Sequence, residues 1–256
     1  MSEGPAVLGI DLGTSQVKAL LCGRDGRVLG QGVAGYPLRT PEIGWAETST
    51  EEWWRATGAA VRAALEGAGD AGAGAGAADI LGLAVVGQMH GLVLSDAGGT
   101  ALRPAVVWLD QRAGAETEDY LGLPPPLRSA LGNRPSPGMA GPVAAWLARH
   151  EPRVFGRARW LLQPKDWLRL RLTGEAASEP TDASGTLLFD LTRRQWSAAA
   201  AGAMGLDTSL LPPLRSPADI GGKLRAEAAA HLGLPAGLPV AVGAADTAAS
   251  LLAAAL

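Results

Sequence analysis

The sequence predicts an α/β domain, and three observations carry that expectation. Short apolar runs of strand character alternate with segments of helical periodicity along most of the 256 residues. Near the amino terminus three strand-like runs follow one another directly, separated by tight-turn chemistry. Two buried-type strands lie downstream, one at residues 80–87 and one at 239–243, and each leads into a polar, site-like segment.

In order along the chain, residues 6–11 form the first apolar run and end in Asp11. Gly13, Thr14 and Ser15 follow, then a second run at 17–22. Arg24-Asp25-Gly26 turns the chain into a third run at 28–36, because Asp-Gly suits the positive-φ positions of a tight hairpin. Ser49 and Glu52 have the spacing of a capping box. Behind them Trp53, Trp54, Ala60, Val61, Ala64 and Leu65 recur at helical spacing. Residues 66–78 are rich in Gly and Ala and predict a flexible connection. After the strand at 80–87, residues 92–96 predict another that returns through Ala97-Gly98-Gly99, and 106–108 a further short run. Pro124 to Pro126 predict a bend, and 143–150 and 224–232 helices. Residues 165–172 read as a short helix stopped by Thr173-Gly174. The last helix would begin at Asp246 and carries no stop chemistry before residue 256, as if the element were cut in mid-course. No repeat of solenoid period is present.

Composition narrows the function classes. The hydrophobic share is 47% and the charged share 18%, as in ordinary globular proteins. With 22 basic and 25 acidic residues the net charge is -3 and no basic run occurs, so neither nucleic acid nor an anionic membrane is an expected partner. No apolar stretch is long enough to span a bilayer, and the first residues lack the pattern of a secretion signal. The single cysteine, Cys22, excludes an internal disulfide and suits a reducing compartment, so a cytoplasmic location is expected. Strand-like neighbours make Cys22 a structural thiol, with no base positioned to activate it.

Four segments carry chemistry. In Gly9-Ile10-Asp11-Leu12-Gly13-Thr14-Ser15 a strand ends in a carboxylate before a turn whose amides could cup an anion. Asp11 at its mouth suits hydrated Mg²⁺, yet a plain hairpin explains the same residues equally well. Gly87-Gln88-Met89-His90-Gly91 places a polar, His-containing turn between two apolar runs, where a simple hairpin would use Asn-Gly or Asp-Gly. By itself a His at a strand end favours a structural role. Trp108-Leu109-Asp110-Gln111-Arg112 pairs an aromatic face with a carboxylate, one way to hold a sugar, though a core Trp beside a surface Asp–Arg pair fits too. Finally, residues 240–249 run from a buried strand through small residues to Asp246 and Thr247 at a helix start, where Asp246 is either a reactive carboxylate or an N-cap.

Asp-x-Gly-Thr between two strands at the amino terminus resembles the first phosphate-binding hairpin of the superfamily joining actin, heat-shock chaperones and sugar kinases. Gly-Gln-Met-His-Gly narrows this: it resembles the sugar-binding segment of FGGY carbohydrate kinases of the xylulokinase type, whereas glycerol kinases carry an Arg-containing sequence there. Trp108-x-Asp110-x-Arg112 is similar to the family's Trp-x-Asp-x-Arg, although Leu109 stands where Asn is usual. Residues 240–249 resemble the segment that carries the family's general base. There Ala244 and Ala245 replace glycines and Thr247 replaces Asn. Further similarity runs through Trp45-Ala46-Glu47, Glu52-Trp53-Trp54, residues 162–175, Thr181 to Thr186 and Gln195-Trp196-Ser197, all expected to serve structure. Residues 138–150 resemble a family signature, with Val143 in place of a customary Lys.

The resemblance spans essentially the whole chain, read as one domain over residues 1–256. It implies the ribonuclease H-like fold of actin-like ATPases, a mixed sheet flanked by helices, and the amino-terminal lobe only. The implied reaction is ATP-dependent phosphorylation of a ketopentose, D-xylulose to D-xylulose 5-phosphate. Asp246 would be the catalytic base and Asp11 would organise Mg²⁺. Gly13, Thr14 and Ser15 would face the phosphates of ATP, while Met89, His90, Trp108, Asp110 and Thr247 would contact the sugar. The carboxy-terminal, nucleotide-binding lobe is absent from this sequence, so the chain alone is expected to be incomplete for catalysis. Its expected partners are a small sugar and that second lobe, with a homodimer left open. An FGGY kinase for ribulose, gluconate or glycerol, or a sugar-binding domain without catalysis, stay open as alternatives.

Overall fold

The computed structural model describes residues 5–70 and 77–254. A seven-stranded mixed sheet forms its centre. The strands β1 (Ala6–Leu12), β2 (Gln16–Gly23) and β3 (Val28–Gly35) make the antiparallel meander that the turn chemistry predicts. Between β2 and β3 the Asp-Gly turn closes as expected, with Gly26 at φ 82° and its amide donating to the Gly23 carbonyl. Next to β1 lies β4 (Ile80–Gly87), parallel to it, with Leu12 opposite Gly87. At the far edge β5 (Ile220–Lys223) and β6 (Pro239–Ala241) pair antiparallel, and β7 (Ala244–Ala245) joins β4 in parallel. Because β1, β4 and β7 run in one direction, Leu12, Gly87 and Ala245 finish at one edge of the sheet. That edge is where sheets of this class place ligands.

Burial alternates along the meander as a half-covered sheet requires. Leu8, Ile10, Val17, Ala19 and Leu21 are buried on the covered face, while Val7, Leu20 and Val33 are exposed on the other. Cover comes from α1 (Thr50–Asp70), whose Ala60, Ala64 and Ala68 are fully buried. Helix and strand meet almost backbone to backbone: a Cβ at Gly32 would lie 2.0 Å from the Ala60 carbonyl oxygen. This seam carries α1 beyond the predicted end, so residues 66–70 are helical where the composition suggested a flexible connection. Of the rest of that connection, residues 71–76 lie outside the described residues and 77–78 open a short 3-10 turn, Ala77–Asp79.

Four more helices place the site: α2 (Ala140–His150), α3 (Pro164–Thr173), α4 (Ala226–Leu232) and α5 (Asp246–Ala254). As predicted, α3 stops at Gly174, which adopts a left-handed conformation and donates to the Leu170 carbonyl. Between β4 and β5 the chain builds a second apolar cluster around Leu94, Tyr120, Leu131, Val143 and Leu147. Val143, where the family signature has Lys, is fully buried there.

The strand expected at 92–96 forms at Val93–Ser95 and turns through residues 97–99 as expected, with the Asp96 amide donating to the Thr100 carbonyl at 3.0 Å; its partner strand is Trp160–Leu162. Two local expectations change. The prolines at 124–126 open a helix, Pro125–Leu131, where a fixed φ and missing amide cost nothing at the first turn. The strand predicted at 239–243 breaks after Ala241 and resumes at Ala244, since Gly243 takes φ 84°. Cys22 is a free thiol on β2, with burial raising its pKa, in keeping with an inert role. No helix among the described residues is long and apolar enough to cross a membrane.

Candidate functional site

Six of the predicted site residues converge at the carboxyl ends of β1, β4 and β7. Thr14, Gln88, Met89, His90, Trp108, Asp246 and Thr247 line one open cleft of about 200 Å³. A larger groove, about 560 Å³, opens between Gly114–Leu121 and Pro125–Leu131. Its lining holds no carboxylate and none of the predicted residues, so the chemistry belongs to the smaller cleft.

The β1–β2 connection forms one wall. Gly13 donates its amide to the Gln16 carbonyl at 3.1 Å, so that amide serves the hairpin and is not offered to an anion. The Gly13 carbonyl accepts from Gln88 Nε2 at 3.0 Å and from the Tyr36 hydroxyl. Thr14 and Ser15 are left facing outward, with Ser15 exposed and its carbonyl accepting from the Tyr36 amide at 3.1 Å. Trp108 Nε1 donates to Thr14 Oγ1 at 2.9 Å, which ties the sugar-facing loop to this hairpin across 94 residues of chain. The Trp108 ring remains 44% exposed, available as an apolar face for a ligand.

His90 is held in an unusual way. Its φ is 72°, and the Gly91 amide donates to the Met89 carbonyl at 2.9 Å. Together these describe a γ-turn of the rare positive-φ kind, a strained geometry that needs surrounding support. Support comes from the imidazole: Nδ1 lies 2.8 Å from the Gly185 carbonyl. A carbonyl only accepts, so Nδ1 carries the proton, and in the neutral ring Nε2 is left as an acceptor. That nitrogen can take a hydrogen bond from a sugar hydroxyl.

Asp246 opens α5, and its Oδ1 accepts from the Thr247 amide at 2.6 Å and the Thr247 hydroxyl at 3.2 Å. Among the described residues Oδ2 has no partner, so one oxygen is oriented and the other is free to accept a proton. Thr247 thus turns its hydroxyl onto the carboxylate while itself lining the cleft. The alanines at 244 and 245, where the family has glycines, both have negative φ and sit in ordinary strand conformation.

Asp110 stands apart. It is fully buried, and its oxygens accept from the Ala46 amide at 2.6 Å, the Arg112 amide and Nε at 2.9 Å each, and Arg112 Nη2 at 2.8 Å. These bonds use its acceptor capacity, so Asp110 shapes the loop behind Trp108 and does not itself face the cleft. The same knot explains the neighbouring family-like residues. Glu47 receives Arg112 at 2.7 Å, and the Arg112 guanidinium lies 3.7 Å from the Trp45 ring centre.

A hydrated divalent cation fits the edge between Asp11 and Asp246. Asp11 Oδ1 and Gln88 Oε1 are buried without any hydrogen-bond partner, two oxygens awaiting a donor or a cation. Burial raises the Asp11 pKa, Lys18 opposes that, and the nearby Asp246 charge adds to it. A cation would relieve the carboxylate repulsion. No group of three or more His, Cys, Asp or Glu side chains is arranged to hold a metal among the described residues.

Sequence reasoning marked Gln88 only as part of the Gly87–Gly91 segment and gave it no role, and it missed Tyr36, which no local pattern distinguishes. It also missed a buried charge cluster beneath Asp246. Lys165 Nζ, fully buried, lies 2.7 Å from Asp166 Oδ1, 3.3 Å from Glu179 Oε1 and 3.3 Å from Asp182 Oδ2. Arg169 adds a second cation at 3.3 Å from Asp166. Burial of these charged residues is visible only in the structure, because residues 165–172 read from sequence simply as a short helix.

Known proteins resemble this chain over most of its length. The sequence model of the FGGY family of carbohydrate kinases, N-terminal domain, matches residues 6–253. A xylulose kinase of Klebsiella pneumoniae is 38% identical over 236 residues, covering 92% of this chain and 47% of that protein. A solved structure described as a xyloylose kinase from Brucella ovis superposes with a TM-score of 0.85 at 39% identity, over 95% of this chain and 49% of that one. The xylulose kinase of Rhodospirillum rubrum gives a TM-score of 0.89 at 31% identity, over 97% and 50%. This chain therefore spans about half the length of the relatives it matches.

Proposed function

We propose, because this chain belongs to the FGGY family of carbohydrate kinases, that it is the sugar-binding half of a cytoplasmic, ATP-dependent ketopentose kinase, converting D-xylulose to D-xylulose 5-phosphate. One observation carries the reading: Thr14, Met89, His90, Trp108, Asp246 and Thr247 line a single cleft at the ends of three parallel strands. In this proposal the Trp108 face and His90 Nε2 hold the sugar, with Met89 on the same wall. Asp110 acts behind them by fixing the Trp108 loop. The free Oδ2 of Asp246 takes the proton of the attacking hydroxyl, while Thr247 fixes the carboxylate through Oδ1. Thr14 and Ser15 present the hairpin to the phosphates, and Gly13 keeps the turn narrow through its bond to Gln16. Asp11, with Gln88, would hold Mg²⁺, which would supply charge neutralisation at phosphate oxygens. Phosphoryl transfer of this kind is mostly positioning, and closure of a second lobe completes such sites.

Calorimetric titration of the purified chain with D-xylulose, L-ribulose, gluconate and glycerol tests the sugar assignment. Selective xylulose binding is expected, weakened about tenfold or more in His90→Ala by loss of a buried-side acceptor. Preference for another of the four would reassign the substrate, and no loss in His90→Ala would remove His90 from the site. The chain alone is expected to turn over little or no xylulose. A coupled assay that detects ATP-dependent xylulose phosphorylation by the purified chain would refute that expectation.

A further inference from the structure

Asp246 sits at the end of a very short strand, so something other than strand pairing must hold it in place. β7 contributes only the pairs Ala244–Val86 and Ala245–Gly87. Immediately before it the backbone is pinned by Val242 donating to the Asp219 carbonyl at 2.9 Å and Gly243 donating to the Pro217 carbonyl at 3.0 Å. The residue adjacent to Asp246 is pinned differently. The Ala245 amide donates to the Thr181 hydroxyl oxygen at 3.0 Å, and that hydroxyl donates in turn to Glu179 Oε1 at 2.9 Å.

Glu179 is itself immobilised. Its oxygens accept from the Thr181 amide at 2.6 Å and the Asp182 amide at 3.0 Å, capping the turn Pro180–Ala183, and Lys165 Nζ lies 3.3 Å away. The cluster touches the strand a second time, through Arg169 Nη1 donating to the Val242 carbonyl at 3.2 Å. With its nitrogen turned towards Asp182, the Gln163 side chain donates to that residue's carbonyl at 2.8 Å and to Oδ2 at 3.0 Å. Two cations and three acids make a closed unit that is neutral when one acid keeps its proton. Burial first, then Asp166 and Glu179, raise the Asp182 pKa well above its ordinary value against the pull of Lys165. The same turn delivers the Gly185 carbonyl to His90 Nδ1.

We propose that Thr181 is a positioning residue for Asp246: its hydroxyl, clamped by Glu179 and the Lys165 cluster, fixes the Ala245 amide and hence the base, while the same turn orients His90 through Gly185. The role assigned to Asp246 rests on the kinase reading above, but the tether does not. One turn of chain thereby sets both the sugar-holding imidazole and the proton acceptor.

Amide hydrogen exchange by NMR on the full chain, without ligand, tests the tether. In Thr181→Val the Ala245 amide is expected to exchange about tenfold faster, with Ile10 and Val85 unchanged, and Thr181→Ser is expected to restore slow exchange. The Asp246 side-chain carboxyl carbon, one sharp resonance in the unaltered chain and in Thr181→Ser, should broaden or split in Thr181→Val. A valine variant with unchanged Ala245 exchange and an unchanged Asp246 resonance overturns the proposal. Should that variant fail to fold, the unaltered chain still decides: an Ala245 amide exchanging as fast as that of Thr14 overturns it. Xylulose titration of the unaltered chain is a separate arm. Failure to bind any sugar counts against the kinase reading, whereas failure of the exchange result counts against the tether.

Discussion

Replacing Lys165 with methionine is expected to destabilise the chain by about 3–5 kcal/mol, because it strips the buried carboxylates of Asp166, Glu179 and Asp182 of their central cation. Burial alone would lower the Lys165 pKa, yet Asp166, Asp182 and Glu179 together outweigh it and hold the ammonium up to about 12, above its ordinary 10.5. A cationic group raised in this way stabilises the fold fully below its ordinary value, and that contribution is lost as pH rises through about 12. Asp182 has the same sign for a different reason. Its pKa is raised from 3.8, so its contribution is greatest in acid and fades as pH climbs through the raised value. Asp182→Asn imitates the protonated acid and removes that titration. Urea unfolding should therefore show a severe loss for Lys165→Met at neutral pH. Asp182→Asn should lose less stability than the unaltered chain on going from acid to neutral solution. Equal stability of Lys165→Met and the unaltered chain would mean that the cluster contributes nothing net.

Gly243→Ala is expected to be nearly as damaging and to strike the site directly. The residue has φ 84°, which costs an alanine about 1–2 kcal/mol. Its Cβ would also fall 1.8 Å from the Val85 carbonyl oxygen and 3.0 Å from that carbon. Those are backbone atoms of the central strand, and no rotamer change relieves the overlap, so overpacking adds about 1–3 kcal/mol. The strand segment must shift, carrying Ala245 and Asp246 with it. Thermal unfolding should show the lost stability, and xylulose titration should weaken in step. Gly243→Asn separates the two causes. Asparagine tolerates left-handed backbone but carries the same Cβ, so the overlap predicts that it is as harmful as alanine. Rescue by asparagine would show that φ alone matters.

Much of the fold was legible because its signals are local. The Asp25-Gly26 turn, the alternation along residues 6–35 and the glycine stop at Gly174 each depend on a few adjacent residues, and the structure has all three. The errors fall where a distant partner decides. Residues 66–70 are helical because Ala68 is buried against the Gly30 region of β3. The run at 92–96 is a strand as expected, but no local pattern announces its distant partner, Trp160–Leu162. Among site residues, Asp11, Met89, His90, Trp108 and Asp246 stood out as carboxylates or ligand-like groups interrupting apolar strands. Asp110 stood out equally but is enclosed by Ala46 and Arg112.

By itself, then, the sequence determined the α/β class, the strand ends that carry Asp11 and Asp246, and the family to which these belong, since residue types at strand termini are written locally. Only the tertiary structure decided which polar groups face the cleft and which lie behind it. The chemistry of an aspartate is the same in both places. What differs is whether donors have already filled its lone pairs, as the remote Ala46 and the adjacent Arg112 do at Asp110, or left an oxygen open, as at Asp246.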